Sequence, residues 1–190
     1  MRSSCISSGV TITHSNVPIC EEIISGVMAV EEKVYKPEDR GTQSSILRRM
    51  EKYPEMLILA QVDGKIVGYL CYFPISEKLY TDIVQNGSYH DDDIQPEDVV
   101  PFSKHTHLFV ISAAIYPEFQ NSGVAGRMMQ YLDEQVKSKR EEGYKVQDIT
   151  TIAISPDGER LATRYGFQLH SDNGREYKVY KKMLEGGPLC

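Results

Sequence analysis

The sequence predicts an α/β domain with a mixed, mainly antiparallel central sheet of about seven strands and helices on both faces. Two observations carry most of this prediction. Two β-rich runs, residues 56–62 and 65–73, are joined by Asp63-Gly64, the two-residue loop that favours a tight hairpin. A buried strand at 107–115 leads into an amphipathic helix at 123–140. Strands that alternate in this way with helices form one layered sheet.

The remaining elements follow from hydrophobic spacing and from helix-capping residues. They are a strand at 10–13, helices that begin near Pro18 and at Thr42, a short helix at 77–84, a strand at 149–154, a helix opened by Ser155-Pro156 and ended by Gly166, and a pair of antiparallel strands at 167–169 and 177–183. The stretch 74–106 is long, acidic and rich in turns, which indicates an inserted loop. No repeat or linker interrupts the chain, so we expect residues 1–190 to form a single domain.

Composition and charge exclude several functional classes. A chain of 190 residues with 41% hydrophobic content can bury a core without disulfides or metal. Its formal net charge of -6 argues against a nucleic-acid partner and is compatible with a cationic substrate. The cysteines, Cys5, Cys20, Cys71 and Cys190, lack metal-ligand spacing. No signal peptide or membrane-length apolar run is present, so we expect a cytoplasmic protein with no metal and no membrane partner.

The join between the strand at 107–115 and the next helix carries the chemistry. Gly123 and Gly126 lie in the first turn of that helix, where free backbone N–H groups and the positive end of the helix dipole favour a phosphate. Arg127 could add a charge-assisted contact. The segment fits neither a P-loop nor a dinucleotide-binding turn. The other interpretation is that small residues only let the helix pack closely on the sheet.

The segment Gln120-Asn121-Ser122-Gly123-Val124-Ala125 fits the pattern Gln/Arg-x-x-Gly-x-Gly/Ala and follows a strand that ends at Ile115. It resembles the acetyl-CoA signature of the GNAT superfamily of N-acetyltransferases. The order of the neighbouring elements and the step Tyr165-Gly166-Phe167 extend the resemblance over residues 10–183. The resemblance implies the GNAT fold and acetyl-CoA as a co-substrate.

In this family the signature strand separates from its neighbour and pairs with the pantetheine arm of the cofactor. The resemblance implies these cofactor-binding residues: Ala113, Ala114 and Ile115 for the arm, Gln120, Asn121, Ser122, Gly123, Val124, Ala125, Gly126 and Arg127 for the diphosphate, and Ser155 at the last helix. Relatives often place an asparagine at the last of these sites. Ser155 is also suited to a plain capping role.

The expected reaction is direct attack of a neutral amine on the thioester, with the N–H of Ile115 as a candidate oxyanion donor. Relatives often carry a glutamate or histidine base at the positions of Ile111 and Phe109, which cannot accept a proton here. His107 lies on the side of Ile115 by two-residue alternation and is the candidate base. The other interpretation is that His107 only marks the start of the strand.

The family tyrosine that protonates the thiolate would stand at Ala162. Tyr165 and Tyr116 are the remaining candidate acids, although Tyr165 points away from the usual direction by helix rotation and could be a packing residue. We therefore expect an N-acetyltransferase that acts on a primary amine of a small molecule or peptide. Dimers are common in the family, so the resemblance is compatible with a homodimer.

Two features bear on the acceptor and on the class of function. The acidic run that includes Asp91, Asp92 and Asp93 could steer a cationic amine, or it could be a solvated loop. Phe109 and Ile111 at the usual base positions favour an alternative, a non-catalytic acyl-CoA-binding or regulatory module of the same fold.

Overall fold

The structure is a computed structural model and describes residues 9–14, 21–86, 91–172 and 177–184. Its strands are β1 (Thr11–His14), β2 (Leu57–Val62), β3 (Lys65–Ile75), β4 (Thr106–Ile115), β5 (Val146–Ala153), β6 (Gln168–Ser171) and β7 (Lys178–Met183). Its α-helices are α1 (Glu21–Val34), α2 (Gln43–Lys52), α3 (Glu77–Asn86), α4 (Val124–Glu141) and α5 (Pro156–Arg164).

The strands form one open sheet of seven strands in the order β1-β2-β3-β4-β5-β7-β6. Among the described residues, only β4 and β5 run parallel, and the other neighbouring strands are antiparallel. The predicted mixed, mainly antiparallel sheet is thus confirmed. The single parallel pair matters for function, because the candidate site lies between its two strands.

Local sequence signals explain where several elements begin and end. Asp63 and Gly64 have φ values of 48° and 78°, the left-handed pair that a two-residue hairpin turn requires. Thr42 and Ser155 cap α2 and α5 by accepting hydrogen bonds from backbone N–H groups three residues ahead, at 3.3 and 3.1 Å. The hairpin and both caps are confirmed. The predicted helix start at Pro18 lies outside the described residues.

The two faces of the sheet carry separate apolar cores. Helices α1, α2 and α3 contribute Val27, Met50 and Leu79 to one core, and this side of the sheet is called the α1 face. Helices α4 and α5 contribute Leu132 and Ala162 to the other core, on the α4 face. The predicted helices on both faces are confirmed. The core that a strand residue joins therefore shows which face its side chain occupies.

The segment between β3 and β4 contains more regular structure than an inserted loop. Strand β3 continues to Ile75, α3 follows, and 3-10 turns at Asp91–Asp93 and Pro96–Asp98 lead towards β4. The predicted short helix is present and two residues longer than expected.

Two acidic side chains of this segment have internal partners. The carboxylate of Asp92 accepts hydrogen bonds from the backbone N–H and the hydroxyl of Thr42, at 3.3 and 2.8 Å. Asp98 is buried and accepts from the N–H of Gln95 and the hydroxyl of Ser76. These carboxylates fix the segment to its surroundings, and the role of the acidic run in steering an amine stays a prediction.

Cys71 is a buried thiol of β3, as its apolar surroundings in the sequence indicate. The other cysteines lie outside the described residues. Within the described ranges, every helix is too short or too polar to span a lipid bilayer.

Candidate active site

Strands β4 and β5 part halfway along their length. Their pairing runs from Thr106↔Val146 to Val110↔Thr151 and stops there. Beyond this point β4 stays paired with β3 as far as Gly68↔Ile115, and β5 stays paired with β7 as far as Ala153↔Lys178. The last residues of the two parallel strands therefore border an opening in the sheet. The strand separation that the resemblance implied is present.

A β-bulge marks the start of the opening. The register between β3 and β4 shifts so that Ile111 has no partner on β3. As a result Phe109, Ile111 and Ser112 all lie on the α1 face, whereas Ala113 and Ile115 pack on the α4 face. A bulge inserts one residue and reverses the alternation beyond it. The prediction that His107 and Ile115 share a face, which assumed unbroken alternation, is wrong for this reason.

Thr151 closes the paired part of the two strands. Its hydroxyl donates to the carbonyl of Val110 at 2.8 Å, next to the last residue pair of the ladder. This bond replaces the backbone partner that Val110 would have if the strands continued together. The apex of the opening is therefore formed by a side chain of β5.

The backbone of β4 presents polar groups to the opening. Tyr116 donates its N–H to the carbonyl of Val67 at 2.8 Å, which fixes the residues that bond to β3. By antiparallel alternation, Ala114 also directs its backbone towards β3, and Ala113 and Ile115 direct theirs into the opening. Of the three residues expected along the cofactor arm, Ala114 is thus turned away. Tyr116 ends the strand and packs against both cores.

Both carbonyls that face the opening have side-chain donors. Tyr35 donates its hydroxyl to the carbonyl of Ala113 at 3.1 Å. Gln120 donates from Nε2 to the carbonyl of Ile115 at 3.1 Å. The signature glutamine therefore connects the loop to the end of β4, and the N–H groups of Ala113 and Ile115 face the opening.

The loop between β4 and α4 has the backbone geometry of an anion site. Asn121 and Gly123 have φ values of 58° and 88°, and the hydroxyl of Ser122 donates to the carbonyl of Phe119. Alternating backbone conformations of this kind turn successive N–H groups to one side. Val124 begins α4, so the N–H groups of its first turn lack partners within the helix. No atom lies within 4 Å of where a Cβ of Gly123 would stand.

Gly126 and Arg127 have structural partners of their own. A Cβ at Gly126 would overlap the hydroxyl of Tyr165, which packs in the core of the α4 face. Arg127 donates from Nη1 to the carbonyl of Val10 at 2.7 Å and so connects α4 to the approach of β1. Of the two interpretations left open by the sequence, close packing fits Gly126 and an anion site fits Gly123.

His107 lies at the other end of β4, where the strands are paired. Its Nδ1 is 3.0 Å from both carboxylate oxygens of the buried Asp148, and its Nε2 is 3.2 Å from Glu77. Its ring stacks on Tyr80 with the ring centroids 3.7 Å apart, and Lys181 lies 3.0 Å from Asp148. We call these residues the closed-end cluster. At about 3.3 Å per residue, some 25 Å of strand separates His107 from Ile115.

A second polar group lies on the α1 face beside the opening. The hydroxyl of Tyr35 is 3.1 Å from that of Ser112, which is 2.7 Å from that of Tyr69. Tyr69 donates to Oε1 of Glu31 at 2.6 Å, and Oε2 of Glu31 accepts from the N–H of Gly41 at 3.2 Å. We call Glu31, Tyr35, Tyr69 and Ser112 the hydroxyl network.

Both tyrosines of the hydroxyl network stay protonated at neutral pH. Burial raises the pKa of Tyr35 to about 12 and raises the pKa of Tyr69 well above its usual value. The sequence reasoning missed this network. One signal was available, because Glu31 stands on the apolar face of α1, four residues after Val27 and three before Val34. A carboxylate in such a place must have a buried partner.

Comparison with known proteins identifies the family. The model of the Acetyltransferase (GNAT) family matches residues 27–167. The chain belongs to the GNAT acetyltransferase family. A search of curated protein sequences found no match.

Solved GNAT structures share the fold at low sequence identity. The GNAT-like decarboxylase GphF in complex with isobutyryl-CoA aligns with TM-score 0.69 and 12% identity over 91% of this chain and 98% of that chain. An agmatine N-acetyltransferase aligns with TM-score 0.61 and 16% identity over 92% and 100%. Naa50 of Arabidopsis thaliana, in complex with the bisubstrate analogue CoA-Ac-MVNAL, aligns with TM-score 0.62 and 9% identity over 93% and 99%. At these identities the similarity shows the GNAT fold alone.

Proposed function

We propose that this GNAT protein transfers an acetyl group from acetyl-CoA to a primary amine of a small molecule or peptide by direct attack. The observation that carries the proposal is the opening between β4 and β5 directly beside the helix start at Gly123. A diphosphate on the loop would place a pantetheine arm along the free edge of β4. The free backbone N–H groups of this edge can bond to the amide groups of the arm. The arm would then hold its thioester at a fixed distance from the diphosphate.

The geometry supports a particular arrangement of the reactants. The loop leads to α4, so the arm would enter from the α4 face and the amine would approach from the α1 face. The N–H of Ala113 lies nearer the apex of the opening than that of Ile115. We therefore propose Ala113 as the oxyanion donor in place of Ile115, an interaction of the type whose removal costs about 3–4 kcal/mol in other enzymes.

For the acceptor we propose only a chemical class, a cationic primary amine. One structural neighbour is named for agmatine, and another is bound to an analogue that carries a peptide. The net charge of -6 suits a cationic amine of either kind. Agmatine, spermidine and the peptide MVNAL are therefore the first acceptors to try.

Calorimetric titration with acetyl-CoA tests the donor half of the proposal. We expect saturable binding to the wild-type protein and at least a tenfold weaker affinity, roughly 1.4 kcal/mol, for Gly123→Glu, because the new carboxylate repels the diphosphate. Gly143→Glu is the matched control. Gly143 also has a positive φ, 97°, with no atom within 4 Å of its Cβ position, but it lies at the far end of α4. Absence of binding, or equal affinities for the two variants, would contradict the proposal.

The apolar side chains at the base positions favour one further candidate, a non-catalytic acyl-CoA-binding module. Phe109 is buried against Phe73, and Ile111 packs in the same core. Thiol release from acetyl-CoA across the amine panel separates the two functions. The transferase releases free CoA with at least one amine, whereas the module binds the cofactor and releases none.

A further inference from the structure

The proposed reaction needs a group that takes a proton from the attacking amine, and Phe109 and Ile111 cannot supply it. We propose, as an extension of the proposed transferase function, that Tyr35 is the catalytic proton-transfer residue. Ser112, Tyr69 and Glu31 would act as positioning residues that hold its hydroxyl and pass the proton on. The network thus takes the place of the base that relatives carry on the signature strand.

The position of Tyr35 relative to the opening is the first reason for this assignment. Tyr35 directly follows α1 on the α1 face, and its N–H donates to the carbonyl of Glu31 at 2.9 Å. Its hydroxyl lies 3.1 Å from the carbonyl of Ala113, one of the two carbonyls that face the opening. An amine that approaches from the α1 face towards a thioester held against Ala113 would meet this hydroxyl.

The direction of the hydrogen bonds is the second reason. Tyr69 donates to Glu31, because a carboxylate can only accept. The hydroxyl of Ser112 then donates to Tyr69. The single proton of Tyr35 has two acceptors in reach, the carbonyl of Ala113 and the hydroxyl of Ser112, and it enters the chain when it turns from Ala113 to Ser112. Every proton in the chain can therefore move one oxygen closer to Glu31. A chain with this orientation accepts a proton at Tyr35 and delivers one at Glu31.

The step balances as follows. The amine nitrogen forms a bond to the thioester carbon, and the C–S bond breaks, so that CoA leaves as its thiolate. The nitrogen loses one proton to the oxygen of Tyr35 as the proton of Tyr35 passes to Ser112, that of Ser112 to Tyr69 and that of Tyr69 to Glu31. The products are the acetylated amine, the CoA thiolate and a protonated Glu31, whose proton returns through the same hydroxyls to the opening, where the thiolate takes it up.

The surroundings of Glu31 keep it away from the substrate. Glu31, Arg49, Tyr69 and Ser112 line a small cavity of about 10 Å³, which cannot hold an amine substrate. Glu31 is 4% exposed, so it can act only through the hydroxyls. Cys71 is the other polar side chain that borders this cavity.

Steady-state kinetics with acetyl-CoA and the best amine of the panel test the relay. We expect Tyr35→Phe to lower kcat about 100-fold, within the usual range for general acid–base catalysis, with an unchanged Kd for CoA. Ser112→Ala and Glu31→Gln should lower kcat about tenfold or more, again without a change in CoA affinity. Glu31→Gln removes the negative charge, and its single side-chain oxygen can accept from only one of Tyr69 and the N–H of Gly41, so its kcat is measured well below its own Tm.

Tyr53→Phe is the matched control, because it removes a half-buried hydroxyl that contacts Tyr72 on the α4 face. Its kcat should equal that of the wild type. If the wild type turns over and Tyr35→Phe keeps kcat within about twofold, the relay is wrong and the transferase function stands. A wild type that releases no thiol overturns both. Losses of kcat that only follow losses of Tm in all variants, Tyr53→Phe included, also overturn the relay.

Discussion

The two ends of β4 carry polar clusters of opposite character on the same face of the sheet. The closed-end cluster has a buried carboxylate, Asp148, between the ring of His107 and the ammonium group of Lys181. The hydroxyl network at the open end contains a single carboxylate, Glu31, reached through neutral hydroxyls. The first cluster lies where β4 and β5 are paired, and the second lies where they have parted.

This difference is expected if the closed-end cluster stabilises the fold and the hydroxyl network serves the proposed proton transfer. Asp148 and Lys181 pair with opposite charges, and the closed-end cluster joins β4, β5, β7 and α3, so the loss of Asp148 should cost stability. Neutral hydroxyls need no counter-charge and can exchange protons along their hydrogen bonds. A histidine beside an aspartate attracts attention as a catalytic pair, yet here it lies far from the opening.

Asp148→Asn should produce the largest effect on stability. Asp148 is 1% exposed and interacts with both His107 and Lys181, so its neutralisation leaves Lys181 without its carboxylate. We expect the free energy of unfolding in urea to fall by about 3 kcal/mol. Below the new Tm, kcat should match that of the wild type, because the cluster does not face the opening.

Asp133→Asn is the matched control for this variant. Asp133 pairs with Lys182, the next lysine of β7, at 2.7 Å but on the surface. We expect a loss below about 1 kcal/mol. A large loss of kcat in folded Asp148→Asn protein would show that the closed-end cluster takes part in the reaction and would break the comparison.

The hairpin turn and the helix caps could be predicted from the sequence because their signals are local. Asp63-Gly64 determines its own turn, and Thr42 and Ser155 form caps with residues three positions away. The bulge at Ile111 has no such signal. Valine, isoleucine and serine at 110–112 suit a regular strand, and only the register with β3 reveals the extra residue. The error about His107 follows directly from that hidden residue.

The second-largest effect on stability is expected at the point where β4 and β5 part. Thr151→Val removes the donor to the carbonyl of Val110 at the apex. We expect a loss of about 1 kcal/mol in the free energy of unfolding. Thr150→Val is the matched control, since the hydroxyl of Thr150 is fully buried without a partner in the described part of the chain. It should be neutral or stabilising by about 1 kcal/mol. Equal losses for both variants would contradict the role of Thr151 at the apex.

The hydroxyl network could not be derived from the sequence, because its members are far apart in the chain. Glu31 meets Tyr69 across 38 residues, and Tyr69 meets Ser112 across 43. Each has an ordinary local explanation, and only the packing of α1 on β3 and β4 brings them together. The segment proposed to bind the cofactor differs in this respect, since residues 120–127 are continuous in the sequence. Motifs confined to a segment can be recognised, whereas constellations assembled by packing require a structure.

The smallest effect concerns pH. It tests whether the hydroxyl of Tyr35 at the open end is buried and protonated, as the comparison requires. Burial raises the pKa of Tyr35 from 10.0 to about 12 in the folded protein. Its contribution to stability is therefore complete below about pH 10 and is lost as the pH rises towards 12, because the unfolded chain ionises first. Tyr35→Phe should match the wild type in pH dependence at neutral pH and lose less Tm above pH 10. Tyr144→Phe, at a more exposed tyrosine, should keep the alkaline loss of the wild type. If Tyr35→Phe loses Tm as steeply as Tyr144→Phe, the hydroxyl of Tyr35 is not the buried, protonated group on which the relay depends.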